Sequence, residues 1–554
     1  MGSNLKTKTD NPDETDELWR LDSALSLINW SYPNSDARKR KLKLDPDLVE
    51  VDSDGLFYPY VGVSQLNALS DQYKIDDNST AEEIEAYQEA LARLMADDPE
   101  AKLFGGRKER GWGEVARLSY GEFLDTLQHA LHRDKLSPSG ICQQLVGEIL
   151  KVEHSRQNEA LENAELKVLE QYLFPVHAMG YCWLGSNADS ANALAKRIES
   201  IQAFYRDKGF KCHKVILVTH SMGGLVARYY SEVLGGNAQI YGVVHGVLPS
   251  VGAAATYTRM KRGTENPLSD IAGYVTTQIL GRDAAEMTAV CAQSPGALQL
   301  LPAPEYGMGW LNIIDRHGNK ESYPKVDPYS EIYTCKDKWW RLVDPHLLNP
   351  LNERGNKWVF EQNWKGFENI IYRHVKKFQS DISGKYHPNT YSFYGLDDSF
   401  VSKVEASHTT QQTAIWKGTL WMAEENTYPV PSSALPGEQL DKREVMQHRT
   451  ISDVLSANER DYQIVGTGGP GDYRQRTSVY VGQRFTLQDA AENGDGTVPV
   501  ISGVIADKHL VSRLPLKVEH EPAYKKPIAQ KFTLRAIIKI AQEVNNDPLM
   551  AFKA

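Results

Sequence analysis

Val215-Ile216-Leu217-Val218-Thr219-His220-Ser221-Met222-Gly223-Gly224-Leu225-Val226-Ala227-Arg228-Tyr229 holds the change of pattern that decides the fold. Val215 to Val218 is an unbroken aliphatic run, the mark of a strand buried on both faces of a parallel sheet. Thr219 to Gly224 packs small and polar residues into a space too short for a loop. From Leu225 on, Leu225, Val226, Tyr229, Val233 and Leu234 recur at helical spacing until Gly235-Gly236 stops them. A strand that becomes a helix through one serine has the layout of a nucleophile elbow, in which the turn lifts the hydroxyl above the sheet edge. The usual pattern is Gly-x-Ser-x-Gly; here Thr219 replaces the first glycine, and the second is doubled as Gly223-Gly224. The Met222 N–H, at the helix start, would face negative charge developing on a bound carbonyl oxygen.

Working outward, Leu173 to Trp183 reads as a core strand, and Ser186 with Asp189 opens a helix carrying Leu194, Ile198, Ile201 and Tyr205 on one face. Ile240 to Leu248 is the strand after the elbow helix. This alternation predicts a doubly wound, mostly parallel sheet. Residues 1 to about 20 are charged and predict disorder. Helices are predicted at Ala81–Asp97, Ile141–Val152 and Ala164–Leu173, with no strand-rich core before residue 170. The expected organisation is an N-terminal, mainly helical accessory region (1–165), a first core part with the elbow (166–252) and a cap or lid insertion rich in Trp and Tyr (253–385). A core strand (386–400), a second insertion (401–480) and a second core part (481–554) follow.

The 554 residues are 41% hydrophobic and 24% charged, ordinary for a globular chain of two or three units. A net charge of −10 argues against nucleic acid, whose phosphates call for a basic surface. Five scattered cysteines without a C-x-x-C pair imply neither a zinc site nor a disulfide framework, and no cofactor or metal is expected. Gly466 to Gly471 formally matches G-x-G-x-x-G, but Pro470 inside it and the absence of a following helix count against a phosphate site. Met1 to Lys8 lacks the apolar core of a signal peptide.

Three further segments carry a resemblance. Gly246-Val247-Leu248-Pro249-Ser250-Val251-Gly252 is similar to the Gly-Thr-Pro-x-x-Gly turn of α/β-hydrolase lipases. Ser294-Pro295-Gly296-Ala297-Leu298-Gln299-Leu300-Leu301-Pro302 resembles the Ser-x-x-Leu-x-x-Leu-Leu-Pro segment of lecithin:cholesterol acyltransferase-like lipases. The block Tyr181 to Ser190, with Thr219 to Arg228 and Val243 to Gly252, resembles the bacterial type VI secretion lipase effectors of the third class. The resemblance implies an α/β-hydrolase with large helical cap insertions that cleaves carboxylic esters of membrane phospholipid, in the manner of a phospholipase A. It also implies an antibacterial protein made in the cytoplasm, secreted without a cleavable signal and acting in the target cell's periplasm. A cognate immunity protein and a secretion-spike or adaptor protein would be its partners.

A serine hydroxyl becomes a useful nucleophile only when a histidine takes its proton and a carboxylate fixes that histidine's tautomer. In the hydrolase order both follow the serine. Asn493-Gly494-Asp495-Gly496-Thr497-Val498 resembles the acid loop Gly-Asp-x-Thr-Val, and Val518-Glu519-His520-Glu521-Pro522 resembles the histidine loop, which assigns Asp495 and His520 to those roles beside Ser221. Asp397 or Asp398, directly after the strand Thr390–Gly395, and His509 are the alternatives; His220 is read as packing or hydrogen-bonding. The His-Gly loop that lends family members a second oxyanion N–H has no counterpart in residues 1–170, so another amide substitutes, or the segment is missing, or the hole is incomplete. A silent binding protein of the same fold, or a hydrolase of another acyl ester or thioester, are the competing readings.

Overall fold

The computed structural model describes residues 2–9, 16–20, 30, 35–57, 100–133, 137–264, 281–315, 317–352, 356–397, 419–430, 439–441, 444–448, 480–488 and 493–550, together with 72, 80, 85–87, 89–90 and 98. The segment Gly466–Gly471, Asp398 and most of the helix expected at Ala81–Asp97 lie outside the described residues. Numbered along the chain, the described strands are β1 (Leu5–Thr7), β2 (Glu17–Trp19), β3 (Val49–Val51), β4 (His154–Ser155), β5 (Val215–His220), β6 (Ile240–Gly246), β7 (Leu311–Ile314), β8 (Lys320–Tyr323), β9 (Thr390–Gly395), β10 (Thr419–Val430), β11 (Gln439–Asp441), β12 (Glu444–His448), β13 (Tyr480–Leu487) and β14 (Ser512–Leu516).

The central sheet runs β4-β14-β9-β6-β5. β5, β6, β9 and β14 are mutually parallel, and β4 closes one edge antiparallel to β14. Side chains alternate across a strand, so Val243 of β6 enters a cluster with Ala191, Ile198, Val226 and Tyr230, while Val244 enters the opposite one with Phe532, Ile537 and Leu514. Helices Asn187–Asp207 and Gly223–Glu232 therefore cover one face, and Pro527–Ala541 and Arg117–Gln128 the other. Ser186 caps the first of these, its hydroxyl accepting from the Ala188 N–H at 3.2 Å, as its sequence predicts.

Four expectations about the first half change. β5 lies at the sheet's edge, and all six of its residues are half-buried rather than enclosed. Leu173–Trp183, expected as a core strand, belongs to no described strand. Its backbone groups are taken by the segment before it: Ala178 N–H donates to Arg110 C=O at 2.8 Å, the Trp112 indole donates to Val176 C=O at 3.0 Å, and Gly180 N–H donates to the Glu114 carboxylate at 3.0 Å. Nor are the first twenty residues disordered throughout, for β1, β2 and β3 form a small antiparallel sheet in the order β2-β1-β3. Leu5, Leu18 and Trp19 are buried there, and the Trp19 ring meets Trp183 edge-on at 4.9 Å. Helices at Ile141–Gln144 and Lys167–Gln171 are shorter than expected.

The insertions are not helical alone. β11, β12, β13, β10, β7 and β8 form a second, six-stranded sheet in that order, joining the segment after the elbow to the one after β9; β13 thus belongs to this sheet and not to the core. Arg228, on the elbow helix, ties the cap to the core. Its guanidinium is 2% exposed and donates to three carbonyls, Lys385 at 3.0 Å, Ser250 at 2.7 Å and Ile382 at 2.6 Å, while stacking 4.0 Å from the Tyr386 ring. Ile382 C=O also accepts from the Lys385 N–H at 3.1 Å, so Arg228→Met takes the donor from the Lys385 and Ser250 carbonyls, and each unsatisfied buried group costs about 1 to 3 kcal/mol. Urea unfolding is expected to show a loss on the order of 3 kcal/mol; a loss under about 1 kcal/mol contradicts this role.

Candidate active site

β5 ends at His220, and the next residue leaves the pleat sharply. Ser221 has φ of 53°, a left-handed conformation rare for a residue with a side chain, and its N–H donates to Gly246 C=O on β6 at 2.9 Å. The helix begins at once, with Gly224 N–H donating to Ser221 C=O at 3.0 Å and Leu225 N–H to Met222 C=O at 2.9 Å. Among the described residues no backbone acceptor meets the Met222 N–H, which lies at the positive end of this helix.

The departure at Thr219 has a steric explanation. Its hydroxyl sits 2.8 Å from His245 Nδ1, between strand and helix. A Cβ built on Gly224 would stand 3.2 Å from that hydroxyl, 2.9 Å from His245 Nδ1 and 2.6 Å from Leu248 Cδ1, whereas one on Gly223 would meet nothing nearer than 3.7 Å. Gly224, rather than Gly223, makes the room that the first glycine of the usual pattern would have made.

Ser221, Asp495 and His520 converge at the carboxyl ends of β5, β9 and β14. His520 Nε2 lies 2.7 Å from Ser221 Oγ, and His520 Nδ1 lies 2.7 Å from Asp495 Oδ2. Asp495 follows β9 by a hundred residues, yet its loop returns to that strand's end. A Cβ on Gly395 would stand 2.5 to 2.8 Å from Asp495 atoms, and Asn493 clamps Asp397 through its amide, accepting from Asp397 N–H and donating to Asp397 C=O, both at 2.9 Å. The second Asp495 oxygen accepts from the Thr497 and Val498 N–H groups at 2.9 and 2.6 Å. Burial alone would raise the pKa of this carboxyl; the adjacent His520 and the bonds from His520, Val498 and Thr497 outweigh it and hold the group below its ordinary range. Asp397 instead pairs with Lys517 at 2.9 Å, and His509 lies against Tyr386, their ring centres 5.0 Å apart.

The family described as "PGAP1-like alpha/beta domain" matches residues 181–240, which include the elbow. A chain of the crystal structure of the Tle4-Tli4 complex superposes with a TM-score of 0.66 at 25% identity, covering 98% of this chain and 96% of that one. No curated protein matches. The chain is an α/β-hydrolase of the serine ester class. These likenesses bear out the resemblance to type VI secretion lipase effectors; the neighbour they name is Tle4, and the third class gains no support from them.

His220 hydrogen-bonds, as its sequence reading has it, but its partners and several other groups around the hydrolase site escape that reading. His220, part-buried, donates from one ring nitrogen and accepts at the other, between Tyr120 Oη at 2.9 Å and His520 C=O at 2.8 Å. Tyr524 Oη donates to Thr219 C=O at 2.8 Å, and Arg259 Nη2 donates to Thr497 Oγ1 at 3.0 Å. These partners lie 100, 300, 305 and 238 residues apart, so no local signal announces them.

The Gly224 account makes a differential prediction. Gly224→Ala is expected to lose about 1 to 3 kcal/mol to overpacking, and Gly223→Ala to stay within about 0.5 kcal/mol. Equal urea midpoints for the two variants contradict it.

Proposed function

We propose that the hydrolase is a phospholipase A type effector in which Ser221 is the nucleophile, His520 the general base and Asp495 the orienting acid. The support is one continuous chain of contacts: Ser221 Oγ to His520 Nε2 at 2.7 Å and His520 Nδ1 to Asp495 Oδ2 at 2.7 Å. With Asp495 ionised, Nδ1 carries the proton and Nε2 is free to accept. Ser221 Oγ attacks the ester carbonyl carbon as its proton passes to His520 Nε2, and the Met222 N–H donates to the oxyanion. The intermediate then collapses, breaking the ester C–O bond while His520 returns the proton to the departing lysophospholipid oxygen. Water, deprotonated by His520, attacks the acyl-serine; fatty acid leaves and Ser221 recovers its proton.

A lipid substrate and effector role rest on the family match and the Tle4 likeness. The neighbour's structure is of a complex with Tli4, and we extend that arrangement to a cognate immunity protein for this chain. Secretion by a spike-borne route and action in the periplasm of the target cell follow from the same reading. No described helix is long and apolar enough to cross a membrane.

Ser221→Ala is expected to abolish fatty-acid release from phosphatidylethanolamine vesicles, and Asp495→Asn to lower it on the order of 10⁴-fold, with Asp397→Asn within a small factor of wild type. Delivered to the periplasm of a susceptible bacterium by an added signal peptide, the wild type is expected to permeabilise membranes and Ser221→Ala to be harmless. Equal harm from both would sink the enzymatic reading and favour a binding protein. Release of the head group from the phospholipid without fatty acid would contradict the phospholipase A assignment alone.

A further inference from the structure

His220 stands immediately before the nucleophile, but its ring turns away from Ser221 toward the histidine loop. The two ring nitrogens are both engaged. His520 C=O can only accept, so His220 Nε2, 2.8 Å from it, must carry the hydrogen. Nδ1 then has a lone pair to offer, and the Tyr120 hydroxyl, 2.9 Å away, donates to it. This arrangement needs a neutral imidazole, and the surroundings supply that state: burial, with His520 nearby, pushes the His220 pKa down to about 3. Tyr120 lies on the helix Arg117–Gln128, which packs against the sheet with Phe123 stacked on Tyr524 at 4.2 Å between ring centres.

We propose that His220 is a positioning residue for the reaction: its Nε2–H, oriented by the Tyr120 hydroxyl, holds the backbone carbonyl of His520 so that the His520 ring spans Ser221 and Asp495. The inference rests on the catalytic reading of those three residues. The physical need is specific. His520 sits on a loop, between the end of β14 at Leu516 and the short helical turn at Ala523–Lys525, and only its N–H, bonded to Asp495 C=O at 3.0 Å, ties its backbone to the acid. With that single bond alone, the peptide plane on the other side of the Cα can still turn, and the Cα–Cβ bond tilts with it. Fixing the carbonyl as well fixes the peptide plane on both sides of the Cα, and with it the direction of the Cα–Cβ bond. The carbonyl's partner is borne by the residue next to the nucleophile, so any movement of the elbow carries the base with it. His220 touches no reacting atom. Its effect on the rate passes entirely through the geometry of His520, where misplacement of about 1 Å can cost on the order of 10²-fold.

The test uses the full-length protein with p-nitrophenyl butyrate, a small chromogenic ester. His220→Leu keeps a side chain of comparable bulk and removes both hydrogen bonds; kcat is expected to fall about 10- to 100-fold with KM within about twofold. His220→Gln places an amide N–H close to the position of imidazole Nε2 and is expected to recover most of that loss. Tyr120→Phe, which removes one oxygen, is expected to lower kcat about 3- to 10-fold. The low-field proton resonance of the His520 Nδ1–H, bonded to Asp495, is expected to be sharp in wild type and His220→Gln and to broaden or move upfield in His220→Leu. Equal losses in His220→Gln and His220→Leu, or an unchanged kcat and resonance in folded His220→Leu, overturn the proposal. Where His220→Leu does not fold, Tyr120→Phe and His220→Gln decide: wild-type kcat in Tyr120→Phe together with a loss of about 10- to 100-fold in His220→Gln overturns it. Ser221→Ala and His520→Ala are measured alongside. Activity surviving in either removes the catalytic reading itself, an outcome distinct from failure of the tether.

Discussion

A left-handed serine is the constraint on which the site depends. A backbone at φ of 53° disfavours Ser221 by about 1 to 3 kcal/mol, and such a conformation persists only where its surroundings over-determine it. Here the ladder bond to Gly246 C=O holds it from one side. The helix it opens holds it from the other, drawn close to β6 because Gly224 has no side chain to keep His245 and Leu248 away. The same conformation that strains the backbone points the hydroxyl out of the sheet and leaves the Met222 N–H facing the space beside it. Strain and reactivity are thus two consequences of one turn.

The carboxyl edge of the sheet carries this precision from the serine to its partners. Hydrogen bonds continue one step past each strand: Ser221 N–H to Gly246 C=O, Val247 N–H to Phe393 C=O at 2.9 Å, and Leu396 N–H to Leu516 C=O at 2.8 Å. Val247, like Ser221, has a positive φ, 46°, and for a β-branched side chain that is a still costlier state. The two strained residues end adjacent strands, so the departure of the chain from each strand is fixed against its neighbour. From Leu516 the chain has only a few residues to run before His520, whose own N–H returns to Asp495 C=O.

The elbow, β6, β9 and the loops of Asp495 and His520 were legible because each writes its constraint locally. A serine between an apolar run and a helical stripe, or a carboxylate between glycines, has few other uses. What could not be read is non-local. Leu173–Trp183 has the residues of a core strand, but whether an apolar run pairs with a neighbour depends on which groups compete for its N–H and C=O, and here Arg110, Trp112 and Glu114 do. Polar residues near the start of the chain suggested disorder because burial of Leu5 and Trp19 needs Trp183, more than 160 residues away. The second sheet draws its strands from three separate stretches, so no single stretch announces it.

Placing the acid a hundred residues beyond its strand follows from how weakly loop length is penalised. Closure entropy grows with the logarithm of the loop, each doubling costing only about 0.6 kcal/mol, so the excursion after β9 is inexpensive provided that its return is held locally. Two contacts provide that hold. Asn493 pairs with the Asp397 backbone at exit and re-entry, and Gly395, having no side chain, lets Asp495 pack directly onto the strand end. The acid is consequently positioned by β9 as firmly as if it followed the strand directly, while the intervening chain is left free to build β10, β11, β12 and β13 of a second sheet. Geometry at the site and elaboration of the cap are in this way separated by one asparagine and one glycine.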